Sequence, residues 1–199
     1  MKHNSTIDYY NRNAARYFNE TVHADVSEIR DRFAQMLPPG GTILDLGCGS
    51  GRDSKAFIEQ GFRVVAVDGS EELCKLAEEY IQQPVICSDF LDYKPEETFD
   101  GIWACASLLH LTEAECQIVV DRLSKNLKPG GCFYMSFKMG EFEGERDDRF
   151  YRDLIEEDLY KITNMVDNLK VIVTFDTADV SRRLIWVNAF LQYEGLDIR

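Results

Sequence analysis

A glycine-rich turn directly after a short apolar run constrains this sequence more than any other feature. The segment ILDLGCGSGRDS covers residues 43–54, and glycine stands at positions 47, 49 and 51. A glycine costs about 0.5–1 kcal/mol in backbone freedom relative to alanine, so three of them indicate a backbone that bends sharply or lets a ligand approach. We expect a binding site where this run ends, at Gly47, Gly49 and Gly51.

Alternating apolar runs and helical patterns predict the fold class. Five runs rich in β-branched and aromatic residues occur in the order TILDL, RVVAV, PVIC, GIWACAS and CFYMSF. Runs that are apolar on both faces are typical of parallel strands covered by helices, which indicates a doubly wound α/β sheet. Two further runs, KVIVTF and RLIWVNAFL, are joined by DTADVSRR, which is too short for a parallel crossover. We therefore expect seven strands, mostly parallel, with the last one reversed.

Capping signals place the helices between these strands. Helices are predicted to begin near Ser5 and at Asp25, after a cap at Ser70, and after a capping box formed by Thr112 and Glu115. The polar segment KMGEFEGERDDRF is predicted to be a solvated loop, and a helix is expected over residues 153–164. The length of 199 residues fits one domain.

Composition and charge exclude several classes of partner. The net charge of −13 opposes binding to nucleic acid or anionic lipid. No stretch approaches the roughly 20 apolar residues of a membrane span, and the start of the chain lacks a signal-peptide core. Three histidines and six scattered cysteines predict neither a metal site nor disulfides. These features favour a cytoplasmic protein with a small-molecule partner.

Acidic residues end the second and third predicted strands. Asp68 lies 21 residues after Gly47, and Asp89 follows PVIC. In an open parallel sheet, ligands bind beyond the carboxyl ends of the strands where the winding reverses. A dinucleotide fingerprint needs glycine or alanine where Arg52 stands, so its strict form fails.

S-adenosylmethionine, a nucleoside cofactor without phosphates, fits these positions better. Asp45 could accept from its ammonium group, Asp68 from both ribose hydroxyls, and Asp89 from the adenine amine beside the backbone N–H and apolar surface of Phe90. Ordinary turn aspartates remain the alternative for Asp68 and Asp89.

The same motifs, in the same order, resemble class I S-adenosylmethionine-dependent methyltransferases. They are ILDLGCGSGRD, VVAVDGS, CSDF, FDGIWACASLLHL and LKPGG. The resemblance implies a Rossmann-like methyltransferase domain over residues 1–199, with residues 1–37 as a helical lid. More narrowly, the sequence is similar to small bacterial methyltransferases of the tellurite-resistance type.

The resemblance also implies roles for individual residues. The predicted cofactor-binding residues are Tyr10 and Tyr17 from the lid, Asp45, Gly47, Cys48, Gly49 and Gly51 around the methionine part, Asp68 and Gly69 at the ribose, Asp89 and Phe90 at the adenine, and Ala104 and Ser107 nearby.

The expected activity is methyl transfer to a small molecule. His110 is the best-placed candidate base, and its alternative role is to orient the following helix through hydrogen bonds. Lys138 and Arg183 could contact substrate or be surface charges. The acids of residues 141–148 favour a neutral or cationic acceptor unless Arg146 and Arg149 point inward. An oxidoreductase using a nicotinamide dinucleotide and a non-catalytic S-adenosylmethionine sensor are the alternative functions; the acceptor and oligomeric state stay open.

Overall fold

A seven-stranded sheet forms the centre of the protein. The structure is a computed structural model that describes residues 2–179 and 184–195. The strands of that part are β1 (Thr42–Leu46), β2 (Arg63–Asp68), β3 (Val85–Cys87), β4 (Phe99–Ala104), β5 (Leu127–Lys138), β6 (Glu143–Arg146), β7 (Arg149–Arg152), β8 (Leu169–Ala178) and β9 (Ile185–Tyr193).

The sheet has the predicted mixed topology. Its strand order is β3-β2-β1-β4-β5-β9-β8, and the pairs among the first five strands are parallel. The last strand in the chain, β9, is antiparallel to both of its neighbours, which confirms the reversed final strand. Because β1 pairs with both β2 and β4, the winding reverses at β1. A ligand cleft is expected beyond the carboxyl ends of these three strands.

Helices cover both faces of the sheet. The helices of the described part are α1 (Lys2–Thr21), α2 (Ser27–Ala34), α3 (Arg52–Glu59), α4 (Glu71–Ile81), α5 (Glu113–Ser124) and α6 (Glu156–Thr163). Phe33 of α2 and Phe57 of α3 belong to one buried apolar cluster, and Val119 of α5 and Leu159 of α6 belong to the other. The strands are therefore buried on both sides, as their apolar sequences predict.

Two of the four predicted helix starts follow the predicted capping chemistry, and α1 begins at Lys2 rather than at a cap near Ser5. The Ser70 hydroxyl accepts from the Leu73 N–H at 3.2 Å, and Thr112 forms the capping box with Glu115. The second helix begins at Ser27 rather than Asp25, because the Asp25 carboxylate accepts from the Ser27 N–H at 2.9 Å outside the helix.

The segment predicted to be a solvated loop is instead a β-hairpin. Strands β6 and β7 pair antiparallel around a two-residue turn at Asp147 and Asp148. Both turn residues have positive φ, 53° and 60°, which is the backbone twist that tight hairpins require. Phe150 and Tyr151 of β7 are buried and anchor the hairpin to the domain. The loop prediction was wrong because it gave weight to the many charged residues of the segment and none to the two aromatic residues that anchor it.

Helix α1 lies across the carboxyl edge of the sheet. Its Thr6 hydroxyl accepts from the Phe150 N–H at 3.0 Å, and its Asn11 side chain accepts from the Ser70 hydroxyl at 2.7 Å. Helix α2, in contrast, inserts Phe33 into the core beside Trp103. Of the two helices in residues 1–37, α1 is the one at the cleft, and the lid stays a prediction. No helix in the described ranges is long and apolar enough to cross a membrane.

Candidate active site

A cleft lies where the winding reverses, between the carboxyl ends of the strands and α1. It encloses about 610 Å³, including its opening to solvent. The lining residues are Thr6, Ile7, Tyr10, Tyr17, Gly47, Gly49, Asp68, Gly69, Ser70, Leu73, Asp89, Phe90, Ala106, Ser107, His110 and Leu111. A concave cleft at the switch point of an open sheet is the usual place for a small-molecule site.

The glycine loop forms the floor of the cleft. The N–H groups of Gly47 and Cys48 both donate to the Val67 carbonyl, which folds the loop back over β2. Gly47 has φ +79°, and a Cβ atom there would lie 2.5 Å from the Ser107 Cβ and 3.0 Å from Phe90 Cζ. Glycine is therefore required at this position by both conformation and space.

Asp68 is held in place by backbone groups from two sides. Its Oδ2 accepts from the Gly49 N–H and its Oδ1 from the Ser70 N–H, each at 2.9 Å. Only 9 % of the residue is exposed, and burial raises the pKa of the carboxyl despite these hydrogen bonds, which lower it. The carboxylate therefore faces the cleft in a fixed orientation with further acceptor capacity.

Asp89 and Phe90 follow the end of β3 and form another part of the cleft lining. The Asp89 Oδ1 accepts from the Leu91 N–H at 2.8 Å, as in an ordinary Asx turn. Both residues still line the cleft and are partly exposed. The Asp89 carboxylate can therefore stabilise its own turn and also face a ligand in the cleft.

Two tyrosines of α1 cover the floor. The Tyr17 ring lies so close to Gly49 that a Cβ there would be 3.2 Å from its Cε1. The Tyr10 and Tyr17 rings make an edge contact with centroids 5.0 Å apart. Burial raises the pKa of both phenols, so both remain protonated at neutral pH.

His110 is fixed on both ring nitrogens. The Phe150 carbonyl accepts from Nδ1 at 2.7 Å, and because a carbonyl only accepts, Nδ1 carries a proton. In the neutral ring, Nε2 then accepts from the Tyr10 hydroxyl at 2.9 Å. His110 therefore lines the cleft as half of a Tyr10–His110 pair rather than as an isolated base.

Four residues of the predicted cofactor set lie outside the lining. Asp45 is buried and accepts from the Ser54 hydroxyl at 2.6 Å. Burial, followed by the nearby charge of Asp53, raises the pKa of Asp45 to about 7. Cys48 and Ala104 are buried in the apolar clusters, and a Cβ at Gly51 would lie 2.8 Å from Ile81 Cγ2. Their assignment to the cofactor stays a prediction.

The hairpin turns its arginines and its acids in opposite directions. Arg146 and Arg149 pack over the ring of Tyr151, whereas the acids of residues 141–148 are exposed. Lys138 at the end of β5 also packs over Tyr151, with Nζ 4.1 Å from the ring centroid. Arg146 and Arg149 thus pack against a buried ring, and the expected preference for a neutral or cationic acceptor stays a prediction. Arg183, another predicted substrate contact, lies outside the described residues.

The match of this sequence to a known protein family agrees with the fold. Residues 43–131, which contain the glycine loop and the three acid-bearing strand ends up to β5, match the methyltransferase domain family. The match over this part of the chain, together with the fold, supports a class I S-adenosylmethionine-dependent methyltransferase domain. This confirms the predicted resemblance.

Several known methyltransferases are similar to this class I domain. A cypemycin N-terminal methyltransferase from Streptomyces sp. is 39 % identical over 101 residues, which cover 48 % of this chain and 41 % of the relative. The chain spans about half the length of the curated relatives it matches.

Two solved structures share the fold over most of the chain. A TehB-like methyltransferase from Corynebacterium glutamicum has TM-score 0.74 and 20 % identity, with 94 % of this chain and 99 % of that chain covered. The 1,6-didemethyltoxoflavin-N1-methyltransferase of Burkholderia thailandensis, solved with S-adenosylhomocysteine, has TM-score 0.74 and 21 % identity over 94 % and 85 %. At these identities the likeness establishes the fold.

Sequence reasoning missed part of the lining of this methyltransferase cleft. The additional residues are Thr6, Ile7, Ser70, Leu73, Ala106 and Leu111. Those on α1 share its inward face with Tyr10, so helical spacing from Tyr10 would have indicated Thr6. Ala106 has φ +52°, an uncommon conformation that no sequence pattern here signals.

Proposed function

We propose that this chain transfers the methyl group of S-adenosylmethionine to a small-molecule acceptor. One observation carries the proposal: Asp68 lies between the glycine loop and the N-terminus of α4, with both oxygens oriented by backbone N–H groups toward the cleft. A fixed carboxylate at the end of β2 suits a ribose diol. The activity of the curated relatives supports the same chemistry.

The residues of the cleft fit the three parts of this cofactor. Gly47 and Gly49 line the cleft without a side chain of their own, which suits close approach of an amino-acid tail. The Ser107 hydroxyl is buried in the lining and has no hydrogen-bond partner among the described residues, so it is available to a polar ligand atom. Asp89 and Phe90 offer a carboxylate and an aromatic edge for a base.

A dinucleotide fits less well. Helix α3 follows the glycine loop and begins at Arg52, where a pyrophosphate site needs a small residue. In its first turn, Asp53 is buried and accepts from Arg30, Arg52 and Trp103. Burial raises the pKa of Asp53, but the Arg52 charge and these bonds outweigh it, so the carboxyl stays ionised. The Asp53 carboxylate and its partners therefore occupy the first turn of the helix, where a pyrophosphate would have to bind.

When bound, S-adenosylmethionine supplies an electrophilic methyl group on a sulfonium centre. The protein's task is to orient an acceptor and exclude water, and positioning is worth about 7–11 kcal/mol in well-aligned model reactions. Helix α1 covers the cleft through Tyr10 and Tyr17, which serves both purposes. We assign this lid role to α1, over the described part of residues 1–37.

The Tyr10–His110 pair gives the site a path for a proton. An acceptor hydroxyl or amine beside Tyr10 loses its proton to the phenol oxygen while the phenol proton moves to His110 Nε2. The Phe150 carbonyl holds Nδ1–H throughout, which keeps the ring oriented. His110 thus acts as the base through Tyr10.

The same proposal includes the cell compartment and the partners. All six cysteines are free thiols, which suits the reducing cytoplasm. A net charge of −13 favours a small-molecule acceptor over a nucleic acid.

Titration calorimetry with three ligands tests the cofactor assignment. We expect S-adenosylmethionine and S-adenosylhomocysteine to bind and to raise the thermal midpoint, and NAD to do neither. Binding of NAD alone would support an oxidoreductase. Release of S-adenosylhomocysteine with an acceptor library then tests transfer; tight binding of S-adenosylmethionine without product from any acceptor would indicate a sensor.

A further inference from the structure

A cluster of cations surrounds one buried ring beside the cleft. We call Lys138, Arg146, Arg149 and Tyr151 the Tyr151 cluster. The Tyr151 ring is 4 % exposed, and the Lys138 Nζ, Arg146 Cζ and Arg149 Cζ lie 4.1, 4.9 and 5.0 Å from its centroid. A cation–π contact requires one cation over a ring, and here three cations share the same ring.

The charge of the Tyr151 cluster is only partly neutralised. Arg146 donates to both carboxylate oxygens of Asp153, at 2.9 and 3.0 Å. Within the described ranges, no carboxylate lies within 4.0 Å of a charged nitrogen of Lys138 or Arg149. The Nε atoms of Arg146 and Arg149 are also buried without a hydrogen-bond partner in those ranges. The positive charge of Lys138 and Arg149 is therefore not matched by a carboxylate contact in those ranges.

The excess of positive charge in the Tyr151 cluster contrasts with the net negative charge of the chain. The chain has 35 acidic residues against 22 lysines and arginines, and five acids lie in residues 141–148. Those five are exposed, and Asp148 is 3.8 Å from Arg12. Burial and the charges of Arg146 and Arg149 lower the pKa of Lys138, so the cations repel one another. Bringing them together therefore costs free energy that a bound anion would recover.

The Tyr151 cluster adjoins the proposed transfer site. The Tyr151 ring contacts the His110 ring with centroids 4.9 Å apart, and the Arg149 guanidinium lies 5.7 Å from the Tyr10 ring centroid. The Tyr10–His110 pair thus lines the cleft and also contacts the Tyr151 cluster. The cluster is therefore directly beside the pair at which we place proton transfer.

We propose that the Tyr151 cluster binds an anionic group, a carboxylate or phosphate, of the methyl acceptor. The proposal rests on the proposed function, because it takes the transfer site to lie at the Tyr10–His110 pair. A guanidinium presents paired N–H donors that match these oxygens, and Lys138 adds a point charge. The rings of Tyr9, Tyr10 and Tyr151 around Arg149 suit an aromatic or planar body. The preferred acceptor is thus an aryl or planar acid.

Binding of simple probes to the full chain tests this proposal without a known acceptor. Benzoate and phenyl phosphate are the anionic probes, benzamide is the neutral isostere, and inorganic phosphate reports on a free oxyanion. Calorimetry or ligand-observed NMR is run with and without saturating S-adenosylhomocysteine. We expect at least one anionic probe to bind at least tenfold more tightly than benzamide.

Variants locate the binding. Arg149→Gln and Lys138→Gln should each weaken the anionic probe about tenfold or more and leave benzamide unchanged. Arg32→Gln is the matched control, because the Arg32 guanidinium also packs on aromatic rings, 4.9 Å from Phe175 and 5.2 Å from Phe190, on a different face of the sheet. Circular dichroism and the affinity for S-adenosylhomocysteine establish that each variant is folded.

Each adverse outcome overturns a separate claim. Equal affinity for benzoate, phenyl phosphate and benzamide, or unchanged anion binding in both variants, overturns the anion site. Inorganic phosphate binding as tightly as phenyl phosphate overturns the acceptor assignment and leaves a free-oxyanion site. Failure of S-adenosylhomocysteine to bind overturns the proposed function, whether or not the probes bind.

Discussion

The Tyr10 hydroxyl donates to His110 Nε2 over 2.9 Å, which joins the first helix of the chain to the turn after β4. The same imidazole donates from Nδ1 to the Phe150 carbonyl of the hairpin. Three separate segments thus meet at one ring. The orientation of His110 and the position of α1 are consequently coupled, and removal of either partner affects both.

Tyr10→Phe tests this coupling. The variant loses one hydrogen bond, worth about 0.5–1.5 kcal/mol, and leaves His110 Nε2 without its donor. We expect lower hydrogen-exchange protection across α1 and near Phe150, with affinity for S-adenosylmethionine changed less than threefold. Tyr9→Phe is the matched control, since the Tyr9 hydroxyl accepts only from Arg16 on the exposed side. Equal protection in both variants would contradict the coupling.

Asp68→Asn should weaken cofactor binding. Hydrogen bonds to a charged group contribute about 1.5–3 kcal/mol, so the dissociation constant for S-adenosylhomocysteine should rise about tenfold or more. Calorimetry measures this, and urea unfolding establishes that the variant is folded. Asp121→Asn, on the outer face of α5 and paired with Lys125, should bind normally. An unchanged dissociation constant in folded Asp68→Asn would exclude the residue from the ribose site.

Gly47→Ala should destabilise the domain and fill the cleft. Positive φ costs an alanine about 1–2 kcal/mol, and the clash with Ser107 should add about 1–3 kcal/mol of overpacking. Gly61→Ala separates the two contributions, because Gly61 has φ +89° and no atom within 4 Å of its Cβ position. Urea unfolding should show the larger loss for Gly47→Ala, which should also bind S-adenosylhomocysteine more weakly. Equal losses would indicate that space at Gly47 is not limiting.

The buried carboxyl of Asp45 should make stability depend on pH. Its pKa is raised from 3.8 to about 7 in the folded state, so folding takes up a proton between those values. Stability attributable to Asp45 is then highest below pH 4 and falls as pH rises to 7. At about 1.4 kcal/mol per pKa unit, the change is on the order of a few kcal/mol.

Asp45→Asn isolates this contribution. The amide oxygen still accepts from Ser54, and the side chain no longer ionises. The difference in unfolding free energy between Asp45→Asn and the parent should therefore grow from pH 4 to pH 7. A difference for Asp45→Asn that does not change with pH would place the folded pKa of Asp45 near the ordinary value.

Local sequence signals predicted the central sheet because they act locally. Ser70 and Thr112 cap their helices through atoms within three residues, and the apolar runs of β1 and β4 need burial on both faces wherever they lie. The glycine loop could be predicted for the same reason, because the positive φ at Gly47 depends on the turn itself.

The part of the cleft beside the hairpin was harder to predict because its contacts join distant segments. The charges of residues 141–149 read as a solvated loop, and only the pairing of Arg146 with Arg149 shows which side chains face Tyr151. His110 was recognised as a candidate base, but its partners Tyr10 and Phe150 are 100 and 40 residues away. No spacing rule connects such positions.

The hydrogen bond from the Phe150 N–H to Thr6 closes a loop of 144 residues. A ribosome that adds about 5–20 residues per second releases these two partners on the order of 10 s apart. During synthesis, α1 can contact α4 well before the hairpin exists, because α4 comes earlier in the chain. Docking of the first helix over the cleft therefore proceeds in two stages set by chain order, first against α4 and then against the hairpin, while α6, β8 and β9 are still to follow.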